Sequence, residues 1–128
     1  MEFAQFRIAR PTDKFEKIKE FYGEGLGLEL IGSFEGHEGY DGVMYGLPDK
    51  KYHLEFTTQV DGSPCPAPTK DNLLVFYIPD QEKISVIMNR LNRLGYLETE
   101  PENPYWKAKG ITIEDPDKWR IVLMNSQF

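Results

Sequence analysis

Sliding the chain against itself by 68 residues lays Pro11 on Pro79, Gly27 on Gly95, Gly42 on Gly110, Pro48 on Pro116 and Asp49 on Asp117. The segment GVMYGLPDKKYHLEF from Gly42 then aligns with GITIEDPDKWRIVLM from Gly110, provided one extra lysine is allowed in the first hairpin turn. With that lysine in place Tyr52 faces Trp119 and Glu55 faces Val122. A period of this length is a supersecondary unit used twice, and one such unit buries too little apolar surface alone, so two copies have to build the fold together. The 128 residues fit a single domain of two such halves.

Each copy reads as strand, helix and three strands. Residues 3 to 10 form a first strand, and Pro11-Thr12-Asp13 a turn carrying the N-cap of a helix with Phe15, Ile18, Phe21 and Tyr22 at helical spacing. Gly23, Gly25 and Gly27 close that helix, and strands follow at about 28 to 34, 40 to 46 and 51 to 58. DGSPCPAPTKD, residues 61 to 71, has three prolines and no apolar period, so it reads as a surface connection between halves at about 1–60 and 72–128. In the second half Leu73 to Ile78 is a nearly continuous apolar strand, and Pro79-Asp80 starts a helix. The buried stripe of that helix is Ile84, Ile87, Met88, Leu91 and Leu94, ending at Gly95. Strands near 96 to 98, 110 to 114 and 119 to 125 complete the set. The expected class is α+β: two βαβββ modules forming a curved mixed sheet around a concave pocket.

Composition narrows the function. A net charge of −6 with only short basic spots argues against nucleic acid and against an anionic membrane surface. No window approaches the ~18 apolar residues of a membrane span, and the N-terminus has no apolar core of a secretion signal. Cys65 is the single cysteine and cannot form an internal disulfide, so a reducing cytoplasm is expected. There is no Ser/His/Asp set or paired-Cys metal signature, and GEGLG at Gly23 follows a helix where a nucleotide loop would precede one.

Four segments carry a family resemblance over nearly the whole chain: KFEKIKEFYGEGLGLEL from Lys14, HLEFT from His53, LLVFYIPD from Leu73 and, above all, NPYWKAKGITIEDPDKWRIVL from Asn103. Together they resemble the vicinal oxygen chelate superfamily, the group of glyoxalase I, bleomycin-resistance proteins and extradiol dioxygenases. The resemblance implies, for the metal-using members, one ligand from the first strand of each half and a Glu from the last, holding a metal that chelates vicinal oxygens of the substrate. Carried onto this chain, the first-strand position falls at Arg7, or at Gln5 if the Pro turn is the anchor. Its second-half match is Leu73 or Asn72, and the last-strand positions are Glu55 and Val122.

Only Glu55 is a ligand-type residue at these positions, and a divalent metal needs several N or O donors converging on one point. The repeat sets Glu55 against Val122 independently of the resemblance. No metal cofactor is therefore favoured. In the alternative, His53 and Glu55, two apart and so on one face of a strand, hold Ni, Zn, Mn or Fe. Arg7 on the concave face would place a guanidinium beside Glu55 and fill the metal's space; an exposed edge arginine is the other reading, because the register is open by one residue. Tyr105 and Trp106, in a loop between strands, and Tyr77 are aromatic candidates for a ligand wall, with most other aromatics assigned to the core.

The expectation is thus a cytoplasmic, metal-free protein that binds a small, partly aromatic molecule through Arg7, Glu55, Tyr77, Tyr105 and Trp106. By analogy it is a homodimer. The alternatives are a divalent-metal-dependent glyoxalase-like lyase, isomerase or dioxygenase using Glu55, and a regulatory subunit with a vestigial pocket.

Overall fold

The computed structural model describes residues 1–47 and 52–127. It divides into two compact units, Met1–Cys65 and Pro66–Phe128, and the division falls inside the proline-rich 61–71 stretch. Pro48, Asp49 and the extra lysine of the first hairpin turn lie outside the described residues.

In the first unit β1 (Phe6–Pro11) leads into α1 (Phe15–Lys19), which runs on as a π-helical turn, Glu20–Gly25, followed by β2 (Glu29–His37), β3 (Tyr40–Gly46) and β4 (Tyr52–Gln59). The sheet order is β1-β4-β3-β2, with β1 parallel to β4 and the other pairs antiparallel. In the second unit β5 (Leu73–Tyr77), α2 (Gln81–Arg93), β6 (Glu98–Thr99), a 3₁₀ turn at Pro104–Trp106, β7 (Gly110–Glu114) and β8 (Arg120–Met124) give the order β5-β8-β7-β6. Here too the first strand is parallel to the last. The two units therefore share one βαβββ topology and one four-stranded mixed sheet each.

The glycines of the repeat recur for physical reasons. Gly27 and Gly95 both have positive φ, +80° and +96°, and each follows the helix of its unit, where a side chain would be strained. Gly42 and Gly110 face the same requirement in a different form, because a Cβ on Gly42 would overlap the Phe34 ring and one on Gly110 the Trp106 carbonyl oxygen. Each is a place where something lies directly on the sheet.

The core of the first unit forms where α1 meets the inward face of its sheet. Ile18, Phe21 and Tyr22 are fully buried, and Tyr22 packs on Phe56 with ring centroids 4.5 Å apart. Val43, Tyr45 and Leu54 complete this face by strand alternation. Burying each such side chain contributes about 1.5–3 kcal/mol. In the second unit Ile84, Met88 and Leu91 of the expected α2 stripe are buried, while Ile87 and Leu94 are half-buried. Asp80 caps α2, its side chain accepting from the Glu82 amide at 2.9 Å.

Several local expectations need correction. The Pro11-Thr12-Asp13 turn does not supply the cap of α1: Lys14 is the cap residue, and Thr12 instead accepts from the Lys14 amide through Oγ1 at 2.9 Å. The first helix ends in a π turn, with the Leu26 amide bonded to the Phe21 carbonyl at 2.8 Å. β2 extends to His37, past the expected 34, and β6 is the two residues Glu98 and Thr99, since Tyr96 is still held by the Leu91 carbonyl at the end of α2.

Candidate functional site

On the sheet of the first unit, alternation places Arg7 and Ala9 of β1, His53 and Glu55 of β4, Gly42 and Met44 of β3, and Phe34 of β2 on the face away from α1. Arg7 donates from Nη1 to Glu55 Oε1 at 2.8 Å, and its Nη2 lies 3.3 Å from His53 Nδ1. A guanidinium only donates, so Nδ1 is the acceptor in that contact. The side chains are 34% and 16% exposed for Arg7 and Glu55, and His53 is buried. The register thus resolves the alternatives in favour of Arg7 facing Glu55; Gln5 precedes β1. Beside this charged group the same face carries the apolar side chains Phe34 and Met44. The Phe34 ring covers Gly42, and the Met44 methyl sits 2.8 Å from where a Cβ on Gly32 would stand.

The corresponding face of the second unit has a different chemistry. Met44 pairs with Glu55 and, at the same place in the repeat, Thr112 pairs with Val122. Arg7 pairs with His53 and, likewise, Leu73 with Arg120, so Leu73 and not Asn72 is the match of Arg7. Val122 is fully buried and Thr112 1% exposed, yet the Thr112 hydroxyl has no hydrogen-bond partner among the described residues. Arg120 is 4% exposed and engaged: Nε donates to Glu114 Oε2 at 3.2 Å and Nη1 to the Glu100 carbonyl at 2.8 Å.

The 3₁₀ turn lies over the Gly110 end of this face. Asn103 caps it by accepting from the Tyr105 amide at 3.0 Å, and the Tyr105 and Trp106 rings meet edge to face, 5.0 Å apart at 86°. A cavity of about 350 Å³ opens there, lined by Pro104, Tyr105, Ala108, Lys109, Met124 and Ser126. Tyr77 is 43% exposed and its register partner on β8 is Met124, which also pairs with Gly110. The expected residues therefore gather as Arg7, His53 and Glu55 in one unit, and as Tyr105 and Trp106, with Tyr77 in the adjoining strand row, in the other. Phe34, Met44, Lys109 and Thr112 were missed; the glycines aligned by the repeat marked where Phe34 and the Trp106 turn press on the sheet.

The donor set does not fit the superfamily's metal site. Glu55 is committed to Arg7, its counterpart is Val122, and among the described residues no group of three or more His, Cys, Asp or Glu is placed to hold a metal ion. Among the same residues no helix is long and apolar enough to cross a membrane. Outside these faces, burial, with the Glu16 and Glu24 carboxylates adding to it, raises the Tyr45 phenol above its ordinary 10.0.

The models of the YycE-like N-terminal domain and the YycE-like C-terminal domain match residues 6–57 and 71–125, one in each unit. An uncharacterized YycE protein of Bacillus subtilis strain 168 is 56% identical over 124 residues, 97% of this chain and 89% of the relative. The crystal structure of a YycE protein of unknown function from Bacillus subtilis, a candidate glyoxalase or fosfomycin-resistance protein, is also 56% identical, with a TM-score of 0.93 over 98% of this chain and 91% of that one. At lower identity, the trypanothione-dependent glyoxalase I of Leishmania major (16%, TM-score 0.75, 98% of this chain and 88% of that one) has the same fold. So does TnmS3, an antibiotic-binding protein from Streptomyces sp. CB03234 (24%, TM-score 0.66, 97% and 95%).

Proposed function

The chain belongs to the YycE-like family, within the vicinal oxygen chelate superfamily, and from that premise we propose that it binds a small, partly aromatic molecule without a metal. The observation that carries this reading is the Arg7–Glu55 ion pair, which occupies the carboxylate a metal would need and sets a part-exposed guanidinium on the same face as Phe34 and Met44. Phe34 and Met44 in the first unit, and Tyr77, Tyr105 and Trp106 in the second, supply ring-sized apolar surface with polar tips. A fold shared with an antibiotic-binding protein is compatible with the same use. Such a protein acts by mass action: it lowers the free concentration of its ligand, so affinity and abundance set its effect.

The same proposal places the protein in the cytoplasm as a homodimer. Phe6 and Ile8, two apart on the edge strand β1, remain 49% and 42% exposed, apolar side chains that a second copy would cover. A second reading, a metal-dependent glyoxalase-like enzyme, draws on His53 and Glu55 sharing one face. It requires Arg7 to swing away from both.

Elemental analysis of the purified protein, followed by melting with Ni²⁺, Zn²⁺, Mn²⁺ or Fe²⁺ and with EDTA, separates the two. The binding-protein reading expects no stoichiometric metal, no metal-dependent rise in Tm, and a saturable rise with small aromatic ligands. Stoichiometric metal whose removal lowers Tm overturns it in favour of the enzyme.

A further inference from the structure

Lys109 lines the same cleft as Tyr105, Met124 and Ser126, and its ammonium has no ion pair among the described residues. Its neighbour Lys107 is different, being held by Glu100, whose hydrogen bond raises its pKa. In this cleft a cation without an ion pair among the described residues shares its lining with an aromatic ring and a thioether, a combination that suits a ring carrying a negative charge. The cleft volume of about 350 Å³ suits one substituted ring.

We propose that this cleft takes a small aromatic anion, an aryl carboxylate or aryl phosphonate, with its ring against Tyr105 and Met124 and its charge at Lys109. The inference rests on the reading of the protein as a small-molecule binder and adds to it the charge and the docking place of the ligand.

The test is backbone amide chemical-shift mapping of the full chain with benzoate, phenylphosphonate and the neutral benzamide, repeated at higher salt and on Lys109→Gln and Lys109→Arg. The expected result is saturable shifts at 104–110 and 124–126 with the two anions, weakened by salt. Affinity should fall about two- to fivefold in Lys109→Gln and be largely kept in Lys109→Arg, the range for one exposed charge pair. Benzamide shifting the same amides with equal affinity, or Lys109→Gln binding benzoate like the unaltered protein, overturns the anion preference and leaves the binder reading standing. Shifts confined to other segments overturn this cleft alone, and no shift with any probe counts against both. Lys109 is exposed, so the unliganded spectrum of each variant should remain dispersed as a check on folding.

Discussion

The Arg7 guanidinium meets the Glu55 carboxylate at 2.8 Å on a diagonal: Arg7 is in register with His53, and Glu55 with Ala9, so the pair reaches across one strand and along two residues. A long side chain can span that diagonal, and the contact is what turns the first-unit face from a ligand set into a salt bridge.

Truncating one partner leaves the other charge half-buried. Arg7→Met should lower stability by about 1–2 kcal/mol, and Arg7→Met/Glu55→Gln should recover most of the loss. Denaturant melts of the two single variants and the double variant give the coupling directly; additive losses would mean that the pair is not coupled.

Replacing Arg7 with histidine removes the cation and presents imidazole, His53 and Glu55 on one face. Arg7→His should gain a Zn²⁺-dependent rise in Tm that EDTA reverses, larger than any in the parent chain. An unresponsive variant would mean that the strand spacing itself forbids coordination.

Thr112 carries a buried hydroxyl without a partner among the described residues, so Thr112→Val keeps the shape and removes the desolvation cost. Stability should rise by about 1 kcal/mol, seen as an increase of several degrees in Tm. A fall would show that the hydroxyl is satisfied in solution.

Alanine at Gly42 or Gly110 tests what lies on each sheet. The Phe34 ring is a side chain that can rotate away, whereas the Trp106 carbonyl is backbone held in the Asn103-capped turn. Gly110→Ala should therefore cost more than Gly42→Ala, about 2–3 kcal/mol against about 1. Urea midpoints compared at constant m-value decide it.

Tyr45 keeps its proton in the folded state at a pH where the unfolded chain has lost it, because burial and then Glu16 and Glu24 raise its pKa above 10.0. The raised value means that its contribution to stability is complete below pH ~10 and is lost as pH climbs through the folded pKa. Tyr45→Phe should flatten the alkaline fall in Tm between pH 9 and 11 relative to the parent chain, with tyrosinate absorbance reporting the titration.

The element order was legible because the repeat aligns glycines with matching roles: Gly27 and Gly95 sit at positive φ, and Gly42 and Gly110 lie under a ring and a carbonyl oxygen. The pairing of Glu55 and Val122 with equivalent partners was legible for the same reason, since the repeat preserves register. Arg7 was not decided by the sequence, as a one-residue slip moves it to the opposite face. The π turn at Glu20–Gly25 has no periodicity signal distinct from an α-helical end. Lys109 and Thr112 were invisible for another reason: an ammonium and a hydroxyl without partners among the described residues are defined by what does not surround them.

Each sheet hydrogen-bonds its own first strand to its own last strand, β1 to β4 and β5 to β8, so neither borrows a strand to complete its ladder. Each ladder is thus complete within its own unit, and a substitution on one sheet face leaves the strand pairing of the other sheet as it is. The unit with Val122 carries aromatic and aliphatic side chains where the unit with Glu55 carries an ion pair, and a protein engineer could rewrite either face as a separate design problem.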